Sequence, residues 1–196
     1  MPETGSPAGA YRCFFAVEVA DAVRRPLAAA QAHLREAGAD LLFPNLRDLH
    51  ITLAFLDDVL PGRVPGLCEL LDRVSGPVQA FHLQVEGVDT FGPARAPRVV
   101  WAGVRAAEEL ERLHSGLADG LRAGGWSVEE RPFRPHLTLA RVGSIRGLAA
   151  LTSQVASIRN AAFGDVLVRR TVLMRSHLDR PDARYSVLHE SPLKGS

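Results

Sequence analysis

The sequence predicts an α+β protein built from two similar halves. Strand-like and helix-like segments follow the same order, strand–helix–strand–helix–strand, in each half of the chain. The pattern H-x-T-L occurs once in each half, in "LHITLAF" (49–55) and in "RPHLTLAR" (134–141), with the two histidines 86 residues apart. A Pro/Gly-rich stretch, "TFGPARAPR" (90–98), lies between the halves. We therefore expect two related lobes, each a sheet covered by helices on one face.

The first half contains three strand candidates and two helix candidates. The segment "RCFFAVEV" (12–19) alternates and is rich in aromatic residues, which favours a strand. Apolar residues recur at helical spacing over 21–38, where Asp21 can cap the helix and Gly38 can end it. The pattern then predicts a strand over 49–56, a helix over 62–76 and a strand over 81–91.

The second half repeats this order. Its predicted elements are a strand over 98–104, a helix over 106–125, a strand over 133–142, a helix over 145–159 and a long strand over 163–178. A last apolar stretch over 184–190 can add an edge strand. We interpret 1–10 as a disordered tail and 11–196 as a single bilobal domain, with a first repeat over about 11–92 and a second over about 98–178.

The composition is that of an ordinary globular protein and excludes several classes. Of the 196 residues 46% are hydrophobic and 23% are charged, and the net charge is +1, so no strong overall field attracts nucleic acid or an anionic membrane. The apolar runs are far shorter than the ~20 residues that span a bilayer, and the amino terminus lacks the features of a signal peptide. Cys13 and Cys68 have no CxxC spacing, so we expect reduced core thiols in a cytoplasmic protein.

Strand alternation separates the residues of each H-x-T-L motif into two faces. In the first copy one face carries His50, Thr52 and Ala54, and the other carries Ile51, Leu53 and Phe55. In the second copy one face carries His136, Thr138 and Ala140, and the other carries Leu137 and Leu139. The aliphatic faces must pack on helices, so we expect the two polar faces to line a groove between the lobes, with a histidine and a threonine on each wall.

The first strand contributes to the same groove by the same alternation. Arg12, Phe14 and Ala16 share one face of 12–19, and we assign that face to the groove. The Arg12 guanidinium can then bind a phosphate. The Phe14 ring can stack on a base.

Two opposed imidazoles suit in-line displacement at phosphorus. One neutral histidine takes a proton from the attacking oxygen, and one protonated histidine gives a proton to the leaving oxygen. Such general acid–base help is worth about 10²–10⁴ in rate. The hydroxyls of Thr52 and Thr138, together with Arg134 beside the second motif, can stabilise the non-bridging oxygens. This chemistry requires no metal and no cofactor.

The assignment of a catalytic role to His50 and His136 depends on the recurrence of the motif. A single histidine in a strand is more often a surface residue than a catalyst, but two histidines in the same frame reverse those odds. We interpret Arg131 and Arg141 as solvated charges. For Arg134, a solvated charge and phosphate binding are equally good interpretations. His33 and His114 lie on predicted helices and are expected at the surface. No role is assigned to the remaining histidines, His82, His177 and His189.

The paired H-x-T-L motifs, with "RCFFAVEV" (12–19) before them and "LMRSHL" (173–178) followed by Tyr185 after them, resemble the 2H phosphoesterase superfamily. The resemblance covers nearly the whole chain, from Arg12 to Leu188, and is nearest to the RNA 2′,3′-cyclic phosphodiesterases of the 2′-5′ RNA ligase type. It implies a bilobal, pseudo-two-fold fold in which two antiparallel sheets flank a central cleft and the helices cover the outer faces.

The resemblance also implies an activity. A 2′,3′-cyclic phosphate at an RNA end or on a small nucleotide is hydrolysed to a 2′-phosphomonoester, and reversible 2′-5′ ligation can accompany it. The first-motif histidine, His50, is the acid for the leaving 3′ oxygen, and His136 is the base for water. The sequence departs from the family at Asp57, where a glycine is usual, and this changes the loop at the groove mouth.

Three other interpretations stay open at the level of sequence. The same groove could bind RNA ends without catalysis, although binding alone needs no matched acid–base pair. It could act on another cyclic phosphate. It could hold a metal with His50, His136 and a carboxylate, although neither motif contains Asp or Glu. A cleft formed within one chain leads us to expect a monomer.

Overall fold

A computed structural model describes residues 9–105, 108–177 and 184–196. The strands are β1 (Tyr11–Glu18), β2 (Leu41–Leu42), β3 (His50–Val59), β4 (Phe81–Phe91), β5 (Val99–Arg105), β6 (His136–Val142), β7 (Ala162–Val168), β8 (Arg170–His177) and β9 (Arg184–Pro192). The helices are α1 (Asp21–Arg35), α2 (Val64–Ser75), α3 (Glu108–Ala123) and α4 (Leu148–Ser157), with short 3₁₀ turns at Leu46–Asp48 and Pro61–Arg63. Of the predicted tail, residues 1–8 lie outside the described residues, as does Leu178 at the end of the predicted long strand.

The predicted α+β class is confirmed, and helix α1 shows why the periodicity succeeded. Its predicted apolar stripe is the face that is buried: Val23, Leu27, Ala30 and Leu34. Such a stripe has a strong tendency to pack on a sheet, because burying each of these side chains removes apolar surface from water.

The predicted long strand over 163–178 is wrong, because the chain forms two strands there. β7 pairs with β4, whereas β8 pairs with β1 and β9, and Arg169 lies between the two strands. The two pairings lie near opposite ends of the sheet. The segment therefore crosses from one end of the sheet to the other, a change of partners that an apolar run cannot reveal.

The described strands form one hydrogen-bonded sheet rather than the two sheets that were expected. Its order is β7-β4-β5-β6-β3-β1-β8-β9, with β2 paired to β6, and the named strands pair antiparallel. The two halves of this order meet at β3 and β6, where a single residue pair, Ile51 with Leu137, is in register. The strands can therefore diverge on either side of this pair, which we call the seam.

Each half of the sheet takes strands from both halves of the sequence. β4, from the first half, pairs with β5 of the second, and β8, from the second half, pairs with β1 of the first. The helices show the same exchange, since α1 packs with α4 and on β7, while α2 packs with α3 and on β8. The expected segregation of each repeat into its own sheet is thus wrong.

One large core holds these elements together. Buried apolar residues from each of the four helices share a single cluster with Ile51 and Leu137 of the seam, so the helices lie on one face of the sheet, the helix-covered face. A small second cluster of Phe14, Ala16, Val172 and Met174 lies apart from that core. We call the face of Phe14 the histidine face, because His50 stacks on the Phe14 ring. Cys13 is a buried free thiol and Cys68 a half-buried one, and burial raises the pKa of Cys13 to about 11.

None of the helices in the described ranges is both long enough and apolar enough to span a membrane.

Candidate active site

Each motif histidine is the first residue of its strand and is held by the same kind of backbone hydrogen bond. The Nδ1–H group of His50 donates to the carbonyl oxygen of Asp48 at 2.7 Å, and that of His136 donates to the carbonyl of Arg134 at 2.7 Å. A carbonyl oxygen can only accept, so the proton of each neutral imidazole lies on Nδ1. Nε2 is therefore the nitrogen that can exchange a proton with a substrate in both rings.

The pairing at the seam puts the two motifs side by side. Ile51 and Leu137 are opposite each other and completely buried on the helix-covered face. Continued by one residue on either side, this register brings two polar pairs together on the histidine face: His50 with Thr138, and Thr52 with His136. The histidines are then diagonal neighbours across the seam, close enough for the charge of His136 to lower the pKa of His50.

His50 lies among aromatic rings. It stacks on Phe14 with ring centroids 4.6 Å apart and meets Tyr185 edge to face at 5.3 Å. Burial lowers the pKa of His50 below its ordinary value of 6.5, the bond to the Asp48 carbonyl opposes that shift, and the charges of His136 and Arg141 lower the pKa further. The neutral imidazole is therefore favoured near neutral pH.

His136 has a matching environment in the other half. It meets Phe91 edge to face at 4.8 Å and lies 6.2 Å from Trp101, centroid to centroid. Burial again lowers the pKa, and the charge of Arg141 adds to the effect. Because Arg141 influences both rings, its guanidinium lies within electrostatic range of both histidines.

A β-bulge changes the face pattern of the first motif strand after its threonine. The register with β1 shifts between Thr52 and Ala54, which leaves Leu53 as the extra residue. Ala54 consequently turns into the core at 8% exposure, and Phe55 turns to the histidine face, 62% exposed and 5.9 Å from Phe14. The expectation that Ala54 lies on the histidine face and Phe55 on the packed face is therefore wrong.

The second motif strand has a bulge at the matching position. Its register with β5 shifts between Thr138 and Ala140, so Leu139 is the extra residue. Ala140 is completely buried, and Arg141 is exposed on the histidine face. The expected placement of Ala140 beside Thr138 is wrong for the same reason, and the charge of Arg141, interpreted from sequence as solvated, lowers the pKa of both motif histidines.

The remaining predicted residues have mixed outcomes. Phe14 is only 3% exposed and its ring is covered by His50, which leaves no ring face for a base, so the base-stacking role fits Phe55 better. Arg12 is exposed beside Ser176, and Arg134 is exposed and supplies the carbonyl that holds His136. Phosphate binding by the Arg12 and Arg134 side chains stays a prediction.

Sequence reasoning missed Arg141, Phe55 and Tyr185 as members of the site. Arg141 and Phe55 depend on the bulges, and Tyr185 reaches His50 from β9 only through the order of the strands. His114 was expected at the surface but is half-buried, with its Nδ1–H donating to the Leu53 carbonyl at 2.7 Å. The side chain of Asp57, the departure from the family pattern, lies outside the described residues.

Within the described residues, neither a metal cluster nor a cavity between α2 and α3 offers another site. In the described ranges no group of three or more His, Cys, Asp or Glu side chains could hold a metal ion. A cavity of about 360 Å³ between α2 and α3 is lined by Arg63, Leu70 and Trp126 among others, and contains no histidine. A smaller cavity of about 100 Å³ adjoins His50 through Asp48 and Tyr185.

The fold of this chain is shared by proteins of known structure. The crystal structure of TT0787 of Thermus thermophilus superposes with a TM-score of 0.80 at 28% identity, covering 94% of this chain and 99% of that one. The structure of E. coli LigT complexed with ATP superposes with a TM-score of 0.69 at 26% identity, covering 95% and 99%.

The sequence comparison gives the family. A profile of the 2′-5′ RNA ligase superfamily matches residues 17–180, and the chain belongs to that superfamily. The resemblance seen in the motifs is thereby confirmed.

Curated relatives agree with this assignment. The RNA 2′,3′-cyclic phosphodiesterase of Archaeoglobus fulgidus is 33% identical over 85% of this chain and 92% of its own length, and that of Aeropyrum pernix is 33% identical over 73% and 81%. The enzyme of the same name from Geobacillus stearothermophilus is 35% identical over 76% of this chain, and the match spans 46% of that longer protein. The prediction of an enzyme of the phosphodiesterase class is confirmed.

Proposed function

We propose that this protein hydrolyses 2′,3′-cyclic phosphates at RNA ends or on small nucleotides to 2′-phosphomonoesters, with His50 and His136 as an acid–base pair. The observation that carries the proposal is the matched pair of Nδ1–carbonyl bonds. They give two diagonal neighbours the same tautomer and leave Nε2 of each ring for proton exchange. The names of the relatives support the substrate class.

The proposed reaction is an in-line displacement. Nε2 of neutral His136 takes a proton from water as the water oxygen attacks phosphorus. The bond between phosphorus and the 3′ oxygen breaks, and Nε2 of protonated His50 gives that oxygen its proton. The product carries a 2′-phosphate and a free 3′-hydroxyl. The assignment of acid to His50 and base to His136 follows the family resemblance.

The groups around the histidines suit the charge that develops on the phosphate. Thr138 is next to His50 across the seam and Thr52 is next to His136, so each hydroxyl can donate to a non-bridging oxygen. The Arg141 guanidinium, within electrostatic range of both rings, can pair with the same anion. Exposed Phe55 is the aromatic ring that can stack on a base.

Several finer features belong to this proposal. We retain the pseudo-two-fold duplication within one bilobal domain over 11–196, supported by bulges and histidine bonds at matching positions of the two motifs. We also predict that the protein is a cytoplasmic monomer. It should need no metal or cofactor, and it should be able to join 2′-5′ ends reversibly.

Product analysis tests the reaction class and its regiochemistry together. The protein is incubated with an oligonucleotide that ends in a 2′,3′-cyclic phosphate, with and without EDTA, and the new end group is identified. We expect a 2′-phosphate in both samples. Binding without turnover would support the non-catalytic alternative, a 3′-phosphate would contradict the assigned leaving group, and loss of activity in EDTA would support a metal-dependent reaction.

A further inference from the structure

We propose that Gln31 on α1 and His114 on α3 are positioning residues, each of which ties the bulge of one motif strand to the segment that leads into the other. This inference rests on the proposed function, because it concerns the alignment of the same two histidines. Both residues act through the backbone rather than on the substrate.

Gln31 makes the first connection. It is a buried polar side chain, 2% exposed, and its Nε2 amide donates to the carbonyl of Leu139 at 3.1 Å and to that of Pro44 at 3.1 Å. Leu139 is the bulge residue of the second motif strand. Pro44 begins the segment that runs through the 3₁₀ turn to His50. One amide therefore joins the second motif strand to the entrance of the first.

His114 makes the reciprocal connection. Its Nδ1–H donates to the carbonyl of Leu53, the bulge residue of the first motif strand, at 2.7 Å. Its ring stacks on Phe133 with centroids 4.3 Å apart and planes 7° apart. Phe133 directly precedes Arg134, whose carbonyl holds the imidazole of His136. One imidazole therefore joins the first motif strand to the entrance of the second.

The bulges explain why polar side chains are needed at these places. An extra residue in a strand interrupts the ladder, and its buried carbonyl needs a donor from elsewhere. A donor on a helix supplies that hydrogen bond and also fixes the height of the bulge relative to the helix layer. Since each side chain contacts one motif strand and the segment that leads into the other, the two connections together fix one histidine relative to the other.

A small displacement of the catalytic groups is expected to have a large effect on the reaction rate. The face change at the bulges turns Phe55 and Arg141 toward the histidines. A misplacement of about 1 Å in reacting groups can cost roughly 10²-fold in rate. Loss of either connection is therefore expected to cause a large loss of kcat and only a small loss of thermal stability.

Paired substitutions separate the hydrogen bond from the packing. His114→Phe keeps a flat ring for stacking on Phe133 but removes the donor, whereas His114→Asn keeps an N–H near the Nδ1 position but removes the ring. Gln31→Met keeps the length of the side chain and removes both donors. The matched control is Ser75→Ala, which deletes a buried hydrogen bond, 2.7 Å long, to Thr171 outside the site.

We measure kcat, KM and Tm for a 2′,3′-cyclic nucleotide. All four variants are expected to lose a few degrees in Tm. His114→Phe and Gln31→Met should lose about tenfold or more in kcat. His114→Asn keeps the donor, so its kcat should be close to that of the parent. Ser75→Ala should keep the parent rate. Rate losses in His114→Phe and Gln31→Met no greater than in Ser75→Ala would overturn the proposal.

An NMR titration of the imidazoles distinguishes failure of this inference from failure of the proposed function. It follows His50 and His136 in the parent and in each variant, whether or not the protein turns over the nucleotide. Loosening of the strands should admit water, so both pKa values should rise toward the ordinary value in His114→Phe and Gln31→Met but not in Ser75→Ala. Unchanged titration in His114→Phe and Gln31→Met would overturn the inference even if the parent is an active phosphodiesterase.

Discussion

At the scale of single residues, the lowered pKa values of the two motif histidines set the pH range of the site. Burial is the main cause for both rings. The base must be neutral and the acid protonated, so the active fraction is greatest between the two pKa values. Both values lie below the ordinary 6.5. The maximum of kcat/KM should therefore lie on the acidic side of pH 6.5, and a profile that is flat between about pH 5 and 8 would contradict two essential imidazoles.

Arg141 provides a second prediction at this scale. Its charge lowers the pKa of both His50 and His136, after burial, and it can bind the phosphate. Arg141→Gln should reduce kcat by about 10²–10³-fold. It should also move the pH optimum upward, because both histidine pKa values rise when the neighbouring positive charge is removed. Arg146→Gln, an exposed arginine beyond the motif strand, is the control, and an equal loss in both variants would contradict the role of Arg141.

The histidines could be found from sequence, whereas Arg141 could not be separated from its neighbours. Recurrence of H-x-T-L in matched frames distinguishes His50 and His136 from the other histidines without any structure. Arg134 and Arg141 flank the same motif, and simple alternation gives no reason to prefer Arg141. The preference comes from the bulge at Leu139, which the sequence does not mark with a glycine or proline.

At the scale of elements, the bulges decide which side chains the motif strands present to the substrate. The strand bounds were predicted to within a few residues, but the faces after Thr52 and Thr138 were inverted. An extra residue is compatible with the same apolar pattern when both neighbours are hydrophobic, as they are at Leu53 and Leu139. Long-range pairing, not local periodicity, reveals the shift.

Phe55 tests the consequence of the first bulge. Stacking of a base on an aromatic ring is worth about 1–3 kcal/mol. Phe55→Ala should therefore raise KM for a cyclic nucleotide roughly fivefold or more with a small effect on kcat. Leu60→Ala, at another exposed apolar residue beyond the same strand, should leave both constants unchanged. A lowered kcat with constant KM would show that Phe55 does not bind the base.

At the scale of the whole molecule, the exchange of strands joins the two halves into one unit. The element types and their repeated order were predicted, but the strand order was not. The pairings of β4 with β7 and of β8 with β1 involve residues far apart in the chain, and local sequence carries little information about them. A duplicated sequence pattern favours two separate sheets, and only the pairings show that each half of the sheet is shared.

This sharing predicts cooperative unfolding. The main core is a cluster to which all four helices contribute, so neither half can open without exposing the other. Calorimetry should give a single transition with a van't Hoff enthalpy close to the calorimetric one. Two resolved transitions would indicate lobes that are stable independently, contrary to the observed topology.

The most direct test of the central claim is the pH dependence of kcat/KM in the two single-histidine variants. His50→Ala and His136→Ala should each lose about 10²–10⁴-fold. His136→Ala should also lose the decline toward acid, where a base becomes protonated, and His50→Ala the decline toward alkali, where an acid loses its proton. His82→Ala, an exposed histidine on β4, should keep the parent profile. Turnover of a 2′,3′-cyclic nucleotide at near the parent rate by either motif variant would contradict the account.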